Sequence, residues 1–129
     1  MTDRNLIEMA AEAMANSYSP YSEFAVGAAV ECTDGSVFKG CNVENSAYRV
    51  AICAEATAIA SAVTAGRRSF KRVAIISKGN AYCYPCGACR QMLNEFSPDM
   101  EVLCARADGR YVSYPLSTLL PMAFSKEHM

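Results

Sequence analysis

Apolar side chains recur at two different periods along this chain, and the switches between them outline its elements. From 3 to 15 the spacing is helical. Leu6, Met9, Ala10, Ala13 and Met14 fall on one face, with Thr2 or Asp3 available as the cap. Pro20, inside Ser17-Tyr18-Ser19-Pro20-Tyr21-Ser22, pushes Ser19 out of the helical region and breaks the pattern. An apolar, partly β-branched run from Phe24 to Cys32 follows, then Thr33-Asp34-Gly35-Ser36, then Val37 to Cys41. Asp-Gly between two such runs predicts a hairpin. The small residues Gly27, Ala28 and Ala29 predict that the first strand packs closely against a backbone or helix.

Asn42 to Val50 is polar and irregular. The stretch Cys53–Ala65 reads as a second helix, with Gly66 just past its end. It is apolar almost all round, as buried helices are. Glu55 is therefore out of place, because a carboxylate near the start of a buried helix costs free energy unless something compensates it. Val73 to Ser77 has the continuous apolar character of a central strand. A loop over 78–85 leads to a third helix from Gly87 to Phe96, with Met92, Leu93 and Phe96 inward, and Ser97-Pro98-Asp99 ends it. Met100 to Ala105 is another strand. Asp108-Gly109 turns it into Tyr111–Tyr114, and a short helix around Leu116–Leu120 closes the pattern. The order α-β-β-α-β-α-β-β-α predicts an α/β fold, a three-layer α/β/α sandwich around a five-stranded mixed sheet. Right-handed crossovers make the strands beside helices two and three parallel, and the two Asp-Gly hairpins make the edge pairs antiparallel. One domain over residues 1–129 accounts for the whole pattern.

Composition narrows the function. Hydrophobic residues make up 52% and charged residues 19%, which is globular and not disordered. The net charge of −1 implies no basic surface, so no nucleic-acid partner is expected. The longest apolar run is far short of a membrane span. Residues 1–20 contain no signal-peptide apolar core, which points to the cytoplasm. Seven cysteines is an odd number, and in a reducing compartment it suggests buried thiols plus a metal site. Cys32, Cys41 and Cys104 fall in strands, where cysteine packs as a small apolar residue. His128, the only histidine, lies in the C-terminal tail, so a histidine base is not available and proton transfer falls to a carboxylate.

The chemistry concentrates in Cys53-Ala54-Glu55 and Pro85-Cys86-Gly87-Ala88-Cys89. Cys86 and Cys89 can chelate zinc from the first turn of a helix, and Cys53 supplies a third thiolate from the head of another. Helix N-termini lower the pKa of thiols placed there. Three protein ligands leave one position for water, the arrangement of catalytic zinc. Cys83-Tyr84-Pro85-Cys86 has the same spacing, so the pairing stays ambiguous on spacing alone. Pro85 and the start of the helix pattern favour Cys86 with Cys89, while a redox pair or a closed four-cysteine site leaves Glu55 unexplained. Glu55, two residues past a ligand, can stand beside a metal-activated water and move its proton.

A cysteine or histidine followed by x-Glu, and then Pro-Cys-x-x-Cys, is the signature of zinc deaminases. The chain resembles the small homotetrameric cytidine deaminases along nearly its whole length. The resemblance rests on Tyr21 to Ala29, Asn42 to Tyr48, Cys53 to Glu55, Pro85 to Gln91 and Leu119 to Phe124. It implies a cytidine deaminase-like fold and hydrolysis of cytidine or 2′-deoxycytidine to the uridine and ammonia, a step of pyrimidine salvage. Glu55 would protonate ring N3 and then carry a proton to the departing amine. The N–H near Ala54 would hold O2, and the Tyr84 carbonyl would accept from the amino group. Asn42 and Glu44 would bind the ribose 3′-hydroxyl, Phe24 would pack on base or sugar, and Phe124 would close the pocket of a neighbouring subunit in a homotetramer.

The family often has arginine directly after Cys-Ala-Glu, and here that position is Ala56. Three thiolates on zinc carry one net negative charge, which a neighbouring arginine would offset. Arg49 and Arg90 are the candidates to substitute. Arg49 is favoured by its place in the apolar approach to Cys53, although a plain surface arginine is its simpler reading. The competing functions are a zinc deaminase of another cytosine-bearing nucleoside such as a nucleoside antibiotic, a nucleic-acid deaminase, and a non-catalytic zinc module.

Overall fold

The computed structural model describes all of residues 1–129. Helix α1, Asp3–Met14, begins at Thr2. The Thr2 hydroxyl accepts from the Asn5 amide at 3.1 Å, and the Asn5 side chain accepts from the Thr2 amide at 3.2 Å. This reciprocal cap satisfies two of the amides that a helix start leaves open and contributes about 1 kcal/mol. Leu6, Ile7, Ala10 and Ala13 are buried beneath the helix. Met9 and Met14, expected on the same face, lie at its margin.

Five strands form one sheet in the order β2-β1-β3-β4-β5. They are β1 Val26–Cys32, β2 Val37–Cys41, β3 Phe70–Ser77, β4 Glu101–Ala105 and β5 Tyr111–Pro115. Both Asp-Gly turns close antiparallel hairpins, β1–β2 and β4–β5. β3 and β4 pair in parallel across helix α3, Gly87–Phe96. Helix α2, Ala54–Thr64, connects β2 to β3. Those two strands run the same way, yet they do not touch, because β1 lies between them and pairs antiparallel with both. β1 begins at Val26 and not at Phe24, and Phe24 is left exposed ahead of it.

Strand alternation divides the core between the two faces of the sheet. Val73, Ile75, Val102 and Cys104 meet α2, α3 and the short helix α4, Leu116–Leu119. Ala74, Ile76, Leu103 and Ala105 meet α1. This is the three-layer α/β/α sandwich. α2 departs from the expected all-round burial: Ala54, Glu55, Ala58, Ile59 and Ala62 face the sheet, while Ala60, Ser61 and Thr64 are exposed. A helix lying on one face of a sheet buries only the stripe that meets it.

Two glycines set how closely the helices approach. A Cβ on Gly27 would stand 2.0 Å from the Ala10 carbonyl oxygen of α1. A Cβ on Gly40 would stand 2.4 Å from the Ala58 amide and 2.6 Å from the Ala54 carbonyl. Gly40 thus lets the first turn of α2 seat against β2, which determines where Cys53 and Glu55 sit. No helix is long and apolar enough to cross a membrane.

Candidate active site

The first turns of α2 and α3 meet beyond the sheet. Cys53 is the N-cap residue of α2 and Cys86 that of α3. Cys89 lies one turn into α3 and is buried, and its amide donates to the Cys86 sulfur at 3.5 Å. The three Sγ atoms lie within 4.8 Å of one another, and those of Cys53 and Cys86 are 3.9 Å apart. Sulfurs at about 2.3 Å from a shared tetrahedral ion lie about 3.8 Å from each other, so the cluster has the dimensions for zinc. Cys83 falls outside the cluster. Of the two Cys-x-x-Cys pairs that spacing left open, the fold brings Cys86 and Cys89 to Cys53.

The approach to Cys53 is stitched to the rest of the site by backbone pairs. Val43 and Ile52 exchange two hydrogen bonds, each 2.9 Å long. Glu44 N donates to Tyr18 O at 2.8 Å, and Tyr18 N donates to Asn42 O at 3.1 Å. Segments 17–24, 42–44 and 51–53 are therefore held side by side, so that Ser22, Phe24, Asn42 and Glu44 line the same cleft as Cys53.

A cleft of about 320 Å³ opens over the cluster. Cys53, Glu55 and Cys86 line its floor, and Phe24, Asn42, Glu44, Ala54 and Tyr84 line its walls. Phe124 is not in this lining. It stands 60% exposed, with its ring stacked on His128. Sequence reasoning gave no separate role to Ser22, which also lines the cleft, as does Cys83, the thiol that spacing had offered as an alternative ligand. Ser22 clamps Glu44: its amide donates to Oε1 at 3.1 Å and its hydroxyl donates to Oε2, while Tyr21 N donates to Oε1 at 2.9 Å. No local pattern marks a serine for that task. The Asn42 amide group braces the entry to β1, donating to Phe24 O at 2.8 Å and accepting from Val26 N at 2.9 Å.

Hydrogen bonding and burial sort the titratable groups. The Cys89 thiol, hydrogen-bonded to Cys53, lowers the Cys53 pKa to about 6 against the opposing effect of burial. The same bond raises Cys89, and burial adds to it. Burial pushes the Glu55 carboxyl above its ordinary value, helped by the negative charge of Cys53. Burial likewise pushes the Cys83 thiol up to about 11. The Ser22 hydroxyl and amide hold Glu44 below its ordinary value, so it stays an acceptor. No arginine donates to a cluster sulfur. Arg49 is exposed in a 3-10 turn at Tyr48–Val50, and Arg90 bonds two carbonyls. The Ala54 amide and the Tyr84 carbonyl are bonded to no protein group.

Fold and site together define a small α/β enzyme built around a three-thiol cluster with a buried acid beside it. Residues 1–105 match the family model for the cytidine and deoxycytidylate deaminase zinc-binding region. A cytidine deaminase of Sporosarcina psychrophila is 43% identical over 130 residues, covering 100% of this chain and 96% of the relative. One of Halalkalibacterium halodurans is 41% identical, covering 100% and 98%. The crystal structure of the cytidine deaminase from Burkholderia pseudomallei superposes with a TM-score of 0.93 at 44% identity, covering 96% of this chain and 100% of that one. The chain belongs to the cytidine and deoxycytidylate deaminase family, and it is a deaminase.

Proposed function

We propose that the enzyme converts cytidine and 2′-deoxycytidine, with water, to uridine and 2′-deoxyuridine plus ammonia. The observation that carries this reading is the convergence of Cys53, Cys86 and Cys89 beside buried Glu55 at the floor of a nucleoside-sized cleft. The three thiolates would hold zinc, which when bound supplies Lewis acidity that makes a water at its open position acidic near neutral pH.

Glu55 takes the proton of the attacking water and delivers it to ring N3 as C4 becomes tetrahedral. It then carries the second proton to the amine, which leaves as ammonia. The Ala54 amide, unengaged at the head of α2, holds O2 of the base. The Tyr84 carbonyl accepts from the amino group, and its direction is set by buried Pro85. Glu44, fixed as an acceptor by Ser22 and Tyr21, takes the ribose hydroxyl. An amide carries two N–H donors, and Asn42 spends one on Phe24 O, which leaves the other for the sugar. Phe24, 47% exposed on the cleft wall, packs on the base or sugar.

The assembly we propose is a homotetramer in which Phe124 closes the cleft of a neighbouring subunit. The exposure of Phe124, together with that of Tyr48 and Val50 near the cleft, suits surfaces that a second copy covers. Residues 1–129 serve as one catalytic domain. Seven free thiols suit a reducing compartment, so we place the enzyme in the cytoplasm, in pyrimidine salvage. Loss of the cytidine absorbance band on adding purified protein tests the reading. Cytidine and deoxycytidine are expected to react and free cytosine to lag well behind. Absence of turnover with stoichiometric zinc bound would leave only a zinc-binding module.

A further inference from the structure

Arg90 follows Cys89 in α3, and its side chain folds back under the metal loop. Its backbone amide closes the first helical bond on Cys86 O at 3.0 Å. Its Nε donates to Pro85 O at 2.8 Å, and its Nη1 donates to Leu119 O at 2.7 Å. Pro85 is fully buried, so its carbonyl must find a partner inside the protein, and Arg90 is that partner. Leu119 O is one of the carbonyls that the end of α4 leaves open.

The next residue of α3 repeats the arrangement. Gln91 Nε2 donates to Phe124 O at 2.8 Å. Two consecutive side chains therefore tie down both ends of the segment 119–124. Between the ties, Met122 holds a left-handed backbone at φ 51 while its side chain is 99% exposed. Such a conformation persists in a residue other than glycine only where its surroundings impose it.

We infer that Arg90 is a positioning residue of the deamination reaction: by bridging Pro85 O and Leu119 O it locks the loop carrying Tyr84 and Cys86 against the segment 119–124. The inference rests on the zinc-deaminase reading above. It assigns Arg90 no role in neutralising the thiolates, since its two side-chain hydrogen bonds go to carbonyls and none goes to a cluster sulfur. Lysine cannot reproduce the arrangement in full, because an ammonium lacks the planar fork that spans two acceptors.

The test compares wild type, Arg90→Lys and Arg90→Ala for three quantities. These are zinc affinity by competition with a chromogenic chelator, kcat and KM for cytidine, and amide exchange across residues 119–125. Groups that orient metal ligands typically contribute about 10–100-fold in affinity or activity. Arg90→Ala is expected to lose roughly that much in both zinc affinity and kcat. KM is expected to move by no more than about threefold, and exchange across 119–125 to accelerate. Arg90→Lys recovers part of each loss. Zinc affinity and kcat within about twofold of wild type in folded Arg90→Ala would overturn the inference, as would equal losses in the two variants. If Arg90→Ala does not fold, Arg90→Lys decides alone, and an unchanged zinc affinity overturns the inference. A wild-type protein that binds no zinc contradicts the proposed function itself; wild-type zinc and turnover beside an unaltered Arg90→Ala contradict only the role of Arg90.

Discussion

Glu31 and Glu55 are equally buried, each 5% exposed, and they do opposite things. Glu31 lies on the α1 face of the sheet. There Arg72 Nε stands 2.6 Å from its carboxylate, while the rest of the guanidinium reaches Asp3 and the Met1 carbonyl. Tyr111 donates to the same Asp3 at 3.0 Å. Every buried charge in this group has a partner, and the result is a clasp between the N-terminus, β1 and β3. Glu55 lies on the opposite face and takes part in no ion pair. Burial pushes its carboxyl up, and the negative charge of the Cys53 thiolate adds to the shift. A buried acid with a cation is architecture. One buried without a cation and facing a cleft suits the proton transfer proposed for it above.

The contrast can be broken from either side. The largest effect is expected on the α2/α3 face. Cys89→Ala removes one of three sulfurs, and zinc retention and turnover are expected to be lost together, measured as metal content and cytidine consumption. Far-UV circular dichroism is expected to persist, because the sheet does not depend on that sulfur. Zinc content equal to wild type would move the site elsewhere.

Next in size, Arg72→Met strands Glu31. Breaking a buried pair costs about 3–5 kcal/mol, and the lower end applies here because Asp3 reaches solvent. Urea unfolding is expected to lose about 3 kcal/mol, with kcat per folded molecule unchanged. A fall in kcat with unchanged stability would reverse the roles assigned to the two faces.

The smallest effect belongs to the β1–β2 turn. Asp34 accepts from the Ser36 hydroxyl at 2.6 Å and the Ser36 amide at 3.0 Å, with Arg67 Nε also 3.0 Å away. These bonds, led by the Ser36 hydroxyl, lower its pKa from 3.8 to about 2. A depressed carboxylate contributes stability that is present above its unfolded pKa and disappears as pH falls through its folded value. The contribution is therefore full above pH 3.8 and gone below about 2. Asp34→Asn is expected to flatten that acid limb in urea midpoints taken from neutral pH downward. An unaltered limb would remove the turn from the account.

Much of this was readable from residue order. Both Asp-Gly hairpins form, since the turn chemistry is local, and Gly35 and Gly109 both adopt φ 90. The period of Leu6, Ala10 and Ala13 placed α1. The position of β1 between β2 and β3 was not readable, because crossover handedness sets direction and not adjacency. The choice between Cys83 and Cys89 was likewise closed to spacing, since it depends on how two helix starts meet. Glu31 and its Arg72 lie 41 residues apart, a pairing no local pattern encodes. Gly40 shows the same limit, being an ordinary strand residue until α2 is laid on it.

The central claim is that Glu55 moves protons beside a metal that it does not hold. Glu55→Gln keeps the shape and removes the base, so zinc content and turnover measured on one preparation test it directly. The account predicts stoichiometric zinc in both wild type and variant, with kcat for cytidine lower in the variant by about 10²–10⁴. A variant that deaminates cytidine at the wild-type rate, or one that has lost its zinc, would contradict it.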